Sequence, residues 1–198
     1  MNIIERVKNI LVTPKTEWAV IDGETATPPS LLMSYVLPLS LIASVGTILQ
    51  SVLFAGTFSF GLKYYITGAV IAFIAQILSF YISAIVIDML APSFGSEKNI
   101  GKSAQLVAYS GTAGYVGAFL SFIPVLGMLI SIAAWVYGIY LMYLGIGPLK
   151  KTPEDKKVVY MIVSFLVMIV LYFILVLILG AILYSAMGYG GLSRYGGL

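Results

Sequence analysis

Residues 104–149 read AQLVAYSGTAGYVGAFLSFIPVLGMLISIAAWVYGIYLMYLGIGPL, and this stretch decides the fold. Its 46 residues include no Asp, Glu, Lys or Arg. At about 1.5 Å per residue, a straight helix of this length would be more than twice as long as a hydrocarbon core of about 30 Å is thick. The stretch must therefore fold back on itself. Pro124, followed by Gly127, is the predicted hinge between two spans at 104–123 and 125–149.

The composition of the whole chain also indicates a membrane protein. Hydrophobic residues make up 60% and charged residues 10% of its 198 residues. Soluble domains have roughly 45–50% apolar and about 25% charged residues, and a soluble fold of this size cannot bury so much apolar surface. Three further apolar runs occupy 31–56, 64–90 and 158–186. We therefore predict an all-α helix bundle with five transmembrane helices in a lipid bilayer.

Two segments flank the predicted transmembrane domain at 31–187. Residues 1–12 place apolar side chains at helical spacing, with Glu5, Arg6 and Lys8 on the other face, which predicts a short amphipathic helix. Two placements stay open for it: an interfacial helix on the membrane, or a cap packed under the bundle. It belongs to a segment and linker at 1–30. The glycine- and tyrosine-rich tail at 188–198 is expected to be disordered and external.

The basic residues predict how the bundle is oriented. With five crossings, nine of the eleven Lys and Arg residues fall on one side, in residues 1–30 and the loops at 91–103 and 150–157. The other side has only Lys63 and Arg194. The positive-inside rule then places the N-terminus in the cytoplasm and the C-terminus outside.

Several functional classes are disfavoured by what the chain lacks. It has no cysteine and no histidine, which removes thiolate nucleophiles, the commonest general base and the commonest metal ligand. It also has no glycine-rich phosphate loop and no paired catalytic acids. The basic residues lie beside apolar spans and do not form a patch interleaved with aromatic residues. We expect no enzyme activity, no cofactor, no metal and no nucleic-acid partner.

Asp88 is the carboxylate that stands out, because it lies inside an apolar run. A charge near the centre of a bilayer costs about 2.5–3.5 kcal/mol on insertion scales. One interpretation is an end-of-helix carboxylate that caps the loop at Ala91 and Pro92. The other is ion binding, a proton relay or a partner contact. The glutamines Gln50, Gln76 and Gln105 are better explained by interhelical hydrogen bonds than by a pore.

Small residues recur at four-residue spacing in the third predicted span. Ser110 and Gly114 form one such pair, and Ala113 and Gly117 form another. This spacing allows two helices to approach closely. Packing within the bundle and a face for homo-oligomer formation both remain open.

These residues resemble the Yip family, the Ypt/Rab-interacting membrane proteins. Residues 88–92, Asp-Met-Leu-Ala-Pro, are similar to an Asp-Leu-Tyr-Gly-Pro type motif that ends the family's second span. Tyr109 and Ser110, and then Ile123-Pro124, resemble a Tyr-Ser pair and an Ile-Pro in its third span. The run Lys-Thr-Pro-Glu-Asp-Lys at 151–156, after an aromatic span, resembles the prokaryotic branch most specifically.

The resemblance implies five spans, a cytoplasmic N-terminus and, for the prokaryotic branch, the inner membrane. Eukaryotic members are linked to Rab GTPases, vesicle traffic and the organisation of the Golgi or endoplasmic reticulum. The resulting candidates for partner contacts are Asp88, Pro92, Tyr109, Ser110, Lys150, Lys151, Thr152, Pro153, Glu154, Asp155 and Lys156.

Two functions remain under consideration. The preferred one is a non-enzymatic scaffold for membrane organisation or trafficking, whose cytoplasmic helix and 150–157 loop bind anionic headgroups or a protein partner. The alternative is a small oligomeric transporter or channel with a polar path near Asp88.

Overall fold

A computed structural model describes residues 2–54 and 62–186, and it is helical without a strand over those ranges. This confirms the predicted all-α helix bundle. The tail at 188–198 lies outside the described residues. In chain order the α-helices are α1 (Ile3–Val12), α2 (Pro14–Asp22), α3 (Pro28–Leu31), α4 (Leu37–Phe54), α5 (Leu62–Leu90), α6 (Ile100–Ser110), α7 (Thr112–Phe119), α8 (Leu126–Lys150) and α9 (Lys157–Ala186).

Four helical segments in the described part of the chain are long and apolar enough to cross a membrane. They are Pro28–Gln50, Phe73–Phe94, Leu126–Lys150 and Lys157–Ile182. Much of their apolar surface points outward: on α9, Leu166 is 58% exposed. Exposed apolar area on this scale is unfavourable in water and matches hydrocarbon. The chain is therefore an integral membrane protein.

The third predicted span, at 104–123, forms a broken helix. α6 and α7 are separated at Gly111, and neither is long enough to cross a bilayer alone. The hydroxyls of Ser110 and Thr112 donate to backbone carbonyls three or four residues earlier, an arrangement that bends helices. The count of five crossings therefore stays a prediction.

The α6–α7 segment nevertheless runs along the whole of α8 in the opposite direction. Near its start, Ser103 contacts Lys150, the last residue of α8. Near its end, the backbone of Ser121 abuts Gly127 at the start of α8, so closely that no side chain fits there. The turn between the end of this segment and the start of α8 contains the predicted hinge Pro124.

A π-helix at Leu32–Val36 precedes Pro38 in the first span. The amide of Leu37 donates to the carbonyl of Leu32, five residues earlier. Proline has no N–H, and in a regular helix its ring clashes with the carbonyl four residues before it. The wider turn relieves this conflict, so the helix passes through Pro38 within the span.

α1 and α2 form an N-terminal hairpin that packs against the bundle. Ile10 and Trp18 are buried, and the hydroxyl of Tyr137 donates to the carbonyl of Leu11 at 2.7 Å. Trp18 lies over Gly145 of α8, where an added Cβ would be 2.7 Å from the indole ring. These contacts favour the cap packed against the bundle over a helix lying alone on the membrane.

The two glycines of α7 have different surroundings. A Cβ added at Gly117 would lie 2.5 Å from the Cβ of Ala134 on α8, so packing within the bundle accounts for Gly117. A Cβ added at Gly114 would have no heavy atom within 4 Å. The four-residue spacing thus brings α7 against α8 at Gly117 but leaves space at Gly114.

Gly117→Ala is expected to destabilise the protein by about 1–3 kcal/mol, because the added methyl overpacks the contact between α7 and α8. The matched control Gly114→Ala meets no neighbour, and its gain in helix propensity is up to about 1 kcal/mol. Thermal unfolding in detergent, followed by circular dichroism, measures both. Equal melting temperatures for the two variants would contradict the packing described here.

Candidate functional site

Two of the segments that carry the family resemblance, 88–92 and 151–156, come together at one end of the bundle through the residues that adjoin them. The amide of Glu97 donates to the carbonyl of Lys150 at 2.8 Å. The hydroxyl of Ser96 donates to that of Thr152 at 2.9 Å. We call the surface formed by residues 91–99 and 150–157 the loop face.

A buried ion pair lies directly beneath the loop face. The Nζ of Lys150 is 3.0 Å from Oδ1 of Asp88, and it also donates to the hydroxyl of Ser103 at 2.8 Å. The same Oδ1 accepts the backbone amide of Asn99 at 2.7 Å. Lys150 is 0% exposed and Asp88 is 6% exposed. We call Asp88, Asn99, Ser103 and Lys150 the Asp88 cluster.

The Asp88 cluster joins separate helices. Asp88 lies at the end of α5, Lys150 ends α8, and Asn99 caps the start of α6 with its side chain. α9 is held at the same place, because the hydroxyl of its Tyr160 donates to the carbonyl of Ile87, next to Asp88. Asp88 therefore does not cap the loop at Ala91 and Pro92. Its partners are the beginning of α6 and the end of α8, which supports a structural role.

The position of Lys150 differs from the sequence-based interpretation. Lys150 was expected in a charged loop that meets headgroups or a partner, but its side chain is fully enclosed in the Asp88 cluster. The reason is that α8 continues to Lys150, and the chain turns only at Lys151, which has a positive φ of 50°. Lys150 is therefore unavailable to a headgroup or partner in this arrangement.

The other candidates at the loop face divide into buried and exposed residues. Thr152 is buried and donates to the carbonyl of Ile146. Lys151 is half exposed, and its Nζ pairs with Asp22 of α2 at 2.6 Å. The remaining candidates are exposed: Pro92, Pro153, Glu154, Asp155 and Lys156.

Tyr109 and Ser110 do not join the Asp88 cluster. Tyr109 packs edge-on against Trp18 and Tyr35, beneath the N-terminal hairpin. The hydroxyl of Ser110 donates to the carbonyl of Leu106 within its own helix. Their positions indicate packing roles in the interior of the bundle.

Arg6 is a further departure from the sequence prediction. It was expected on the polar face of α1, yet it is only 4% exposed. Its guanidinium pairs with the carboxylates of Glu17 and Glu24 and lies 5.1 Å from the centre of the Tyr109 ring. A buried arginine requires such partners. They are supplied by α2 and the segment after it, which the pattern of α1 alone does not reveal.

The glutamines and acidic residues offer little support for a transport path. Gln76 donates to the hydroxyl of Tyr115, and Gln105 donates to the carbonyl of Glu24, as expected for hydrogen bonds between segments. Asp88 is already paired with a lysine. Within residues 2–54 and 62–186, no group of three or more acidic side chains is placed to hold a metal ion.

Sequence reasoning missed Asn99 and Ser103 as members of the Asp88 cluster. Both were assigned to a polar loop, although their spacing of four residues places them on one face of a helix. That spacing, close to the only carboxylate in an apolar run, was the available signal.

The arrangement is that of a polytopic helical membrane protein with a buried ion pair at one end of the bundle. A family model described as the Yip1 domain matches residues 8–178, which include the Asp88 cluster and both motif segments. The chain belongs to the Yip1 domain family, a family of non-enzymatic membrane proteins, and the resemblance is confirmed. Searches of curated proteins and of solved structures found no match.

Lys150→Met is expected to lower the free energy of unfolding by about 3–5 kcal/mol, because it leaves the carboxylate of Asp88 buried without its cation. The double variant Asp88→Asn/Lys150→Met is expected to lose less than the sum of the single variants, since both charges are gone. Unfolding in mixed micelles measures these differences.

The control is the ion pair of Lys157 and Glu154 at the same end of the bundle, whose carboxylate is exposed. Glu154 is 82% exposed, so Glu154→Gln is expected to change stability by about 0–1 kcal/mol. Strict additivity of Asp88→Asn and Lys150→Met would show that the two residues are not coupled.

Proposed function

We propose that this chain is a non-enzymatic membrane-organising scaffold that holds a protein partner at its loop face. The observation that carries the proposal is the Asp88 cluster, which joins residues 91–99 and 150–157 into one surface. Gly95 illustrates the junction: a Cβ added there would lie 3.6 Å from the ring of Pro153 and 3.7 Å from the Nζ of Lys156. A rigid surface loses little conformational freedom on binding, which favours affinity.

The charges of the loop face favour a protein over a purely anionic membrane surface. Exposed acids and bases are interspersed along it, with Glu97 beside Lys98 and Asp155 beside Lys156. Anionic headgroups attract clusters of basic residues and repel carboxylates. A protein surface with complementary charges of both signs satisfies this pattern better.

We also propose that the loop face lies in the cytoplasm, in the inner membrane of a prokaryotic cell. The basic residues at this end, with those of residues 1–30, give the asymmetry expected for a cytoplasmic side. The N-terminal hairpin belongs to the same end, since Asp22 pairs with Lys151.

Reversing two charges of the loop face tests the partner site. Lys98→Glu/Lys156→Glu is expected to reduce the amount of protein retained on the purified chain by at least about tenfold. Both lysines are exposed in the free chain. A bound partner would bury them against its own acidic residues, and reversing their charge would turn that attraction into repulsion. The measurement is quantitative mass spectrometry after purification in native-lipid nanodiscs.

The matched control is Lys8→Glu/Lys15→Glu, which makes the same change of charge on α1 and α2, outside the loop face. Equal retention by the two double variants would refute a partner site at the loop face. A loss of anionic phospholipid from the nanodiscs, with retained proteins unchanged, would assign the face to headgroups instead.

Because the chain has no cysteine, single cysteines test the orientation directly. Lys98→Cys and Asp155→Cys, at the loop face, are expected to react with a membrane-impermeant maleimide in inside-out vesicles but not in intact spheroplasts. Val125→Cys, exposed at the opposite end of α8, is expected to show the reverse pattern. Labelling of the loop-face cysteines in spheroplasts would overturn the proposed orientation.

A further inference from the structure

A deep apolar groove opens on the side of the bundle between α8 and α9. Its volume is about 350 Å³, within the range of small-molecule sites. Ser83 of α5, Ser110 of α6 and Gly114 of α7 line it too, and no charged residue in the described part of the chain does so. At the end nearest the loop face it reaches Ile87, the neighbour of Asp88. We call this cavity the membrane groove.

The membrane groove exists because of how glycines are placed on α7. Gly117 is pressed against α8, whereas Gly114, about one turn earlier, faces open space with no heavy atom within 4 Å of an added Cβ. A larger residue at 114 would fill the groove without striking the bundle. Glycine in a helix interior costs about 1 kcal/mol relative to alanine. At Gly117 the close approach of α8 explains why glycine is present despite this cost. At Gly114 no such neighbour explains it.

The surroundings of the membrane groove determine what fits it. Its rim includes Trp135 and Tyr172, which are 66% and 56% exposed and belong to the outward apolar surface of α8 and α9. The groove is therefore continuous with the interface between protein and lipid. The hydroxyl of Ser110, on its wall, is already bonded to the carbonyl of Leu106 and offers little to a polar ligand.

We propose that the membrane groove is a binding site for one acyl chain of a bilayer phospholipid. An empty apolar cavity loses the dispersion contacts of its walls, and the adjoining hydrocarbon can restore them. A chain in this groove contacts residues of five helices, α5 to α9, whereas a chain on the outer face of α9 contacts one. The proposal depends only on the membrane location and not on a partner at the loop face.

Photocrosslinking tests this site. The full-length protein is placed in phosphatidylcholine vesicles containing a small fraction of phosphatidylcholine with a diazirine near the middle of one acyl chain. Adducts are mapped by mass spectrometry. The expected result is enrichment of at least about fivefold at Phe165 and Met168 in the groove over Phe173 and Leu177 on the outward face of α9, because a chain that contacts several helices stays in place longer than bulk lipid does.

Gly114→Leu fills the membrane groove and is expected to reduce its adducts about tenfold while leaving those on the outer face of α9 unchanged. The matched control is Gly180→Leu on α9, where an added Cβ also has no neighbour within 4 Å. Gly114→Ala, which occupies less of the groove, is expected to reduce its adducts by a smaller factor, about twofold. It also serves as the test if the leucine variant does not fold, as judged by circular dichroism.

Three results would overturn the proposal. One is equal labelling of the membrane groove and the outer face of α9, which would indicate bulk lipid only. Another is labelling that does not respond to Gly114→Leu or Gly114→Ala in comparison with Gly180→Leu. The last is a Gly114→Leu variant that dissociates a dimer in detergent, which would assign the groove to a second copy of this chain.

Discussion

The loop end of this protein depends on the buried ion pair between Asp88 and Lys150. Removing both charges from water costs several kcal/mol per ion, and their attraction offsets this only when further hydrogen bonds complete the arrangement. Here the backbone of Asn99 and the hydroxyl of Ser103 supply those bonds. A shift in register of α5 or α8 would leave a charge unpaired in the interior, and a shift of α6 would remove the hydrogen bonds that complete the pair. The pair therefore restricts how the three helices are arranged.

The motif residues that resemble the Yip1 domain family are of two kinds, buried and exposed. In each of the two motif segments, one part is buried and fixes the backbone, as with Asp88 and Thr152. Another part is exposed on the surface that results, as with Pro92 and Pro153. The interior and the surface of this end are therefore parts of one structural unit.

The sequence predicts those features that depend on hydropathy along one segment. The apolar runs around α4, α5, α8 and α9 stand out because lipid-facing and interior residues are both hydrophobic. Pairings between distant segments are not accessible in this way. Lys150 ends an apolar run, where a charge normally marks the start of a loop, and its pairing with Asp88 becomes apparent only once α5 and α8 are known to be neighbours.

The same limit applies to the small residues and to the first helix. Gly114 and Gly117 belong to one sequence pattern, but only Gly117 faces α8, since the direction of each depends on the rotation of α7. Arg6 lies in a helix with a clear polar face, but its guanidinium is covered by Glu17 and Glu24 from the residues that follow. Broken helices are equally hard to foresee, because α6 and α7 separate at Gly111 through local hydroxyl bonds rather than at a proline.

The docking of the N-terminal hairpin has a consequence for the order of biogenesis. Leu11 and Asp22 are translated early, but their partners Tyr137 and Lys151 lie in and just after α8 and are translated far later. Multi-span chains form their native contacts as segments become available, so the first two helices leave the ribosome well before their docking surface exists. The hairpin is thus synthesised before the segments that it docks against, and it is among the last elements to reach its final position.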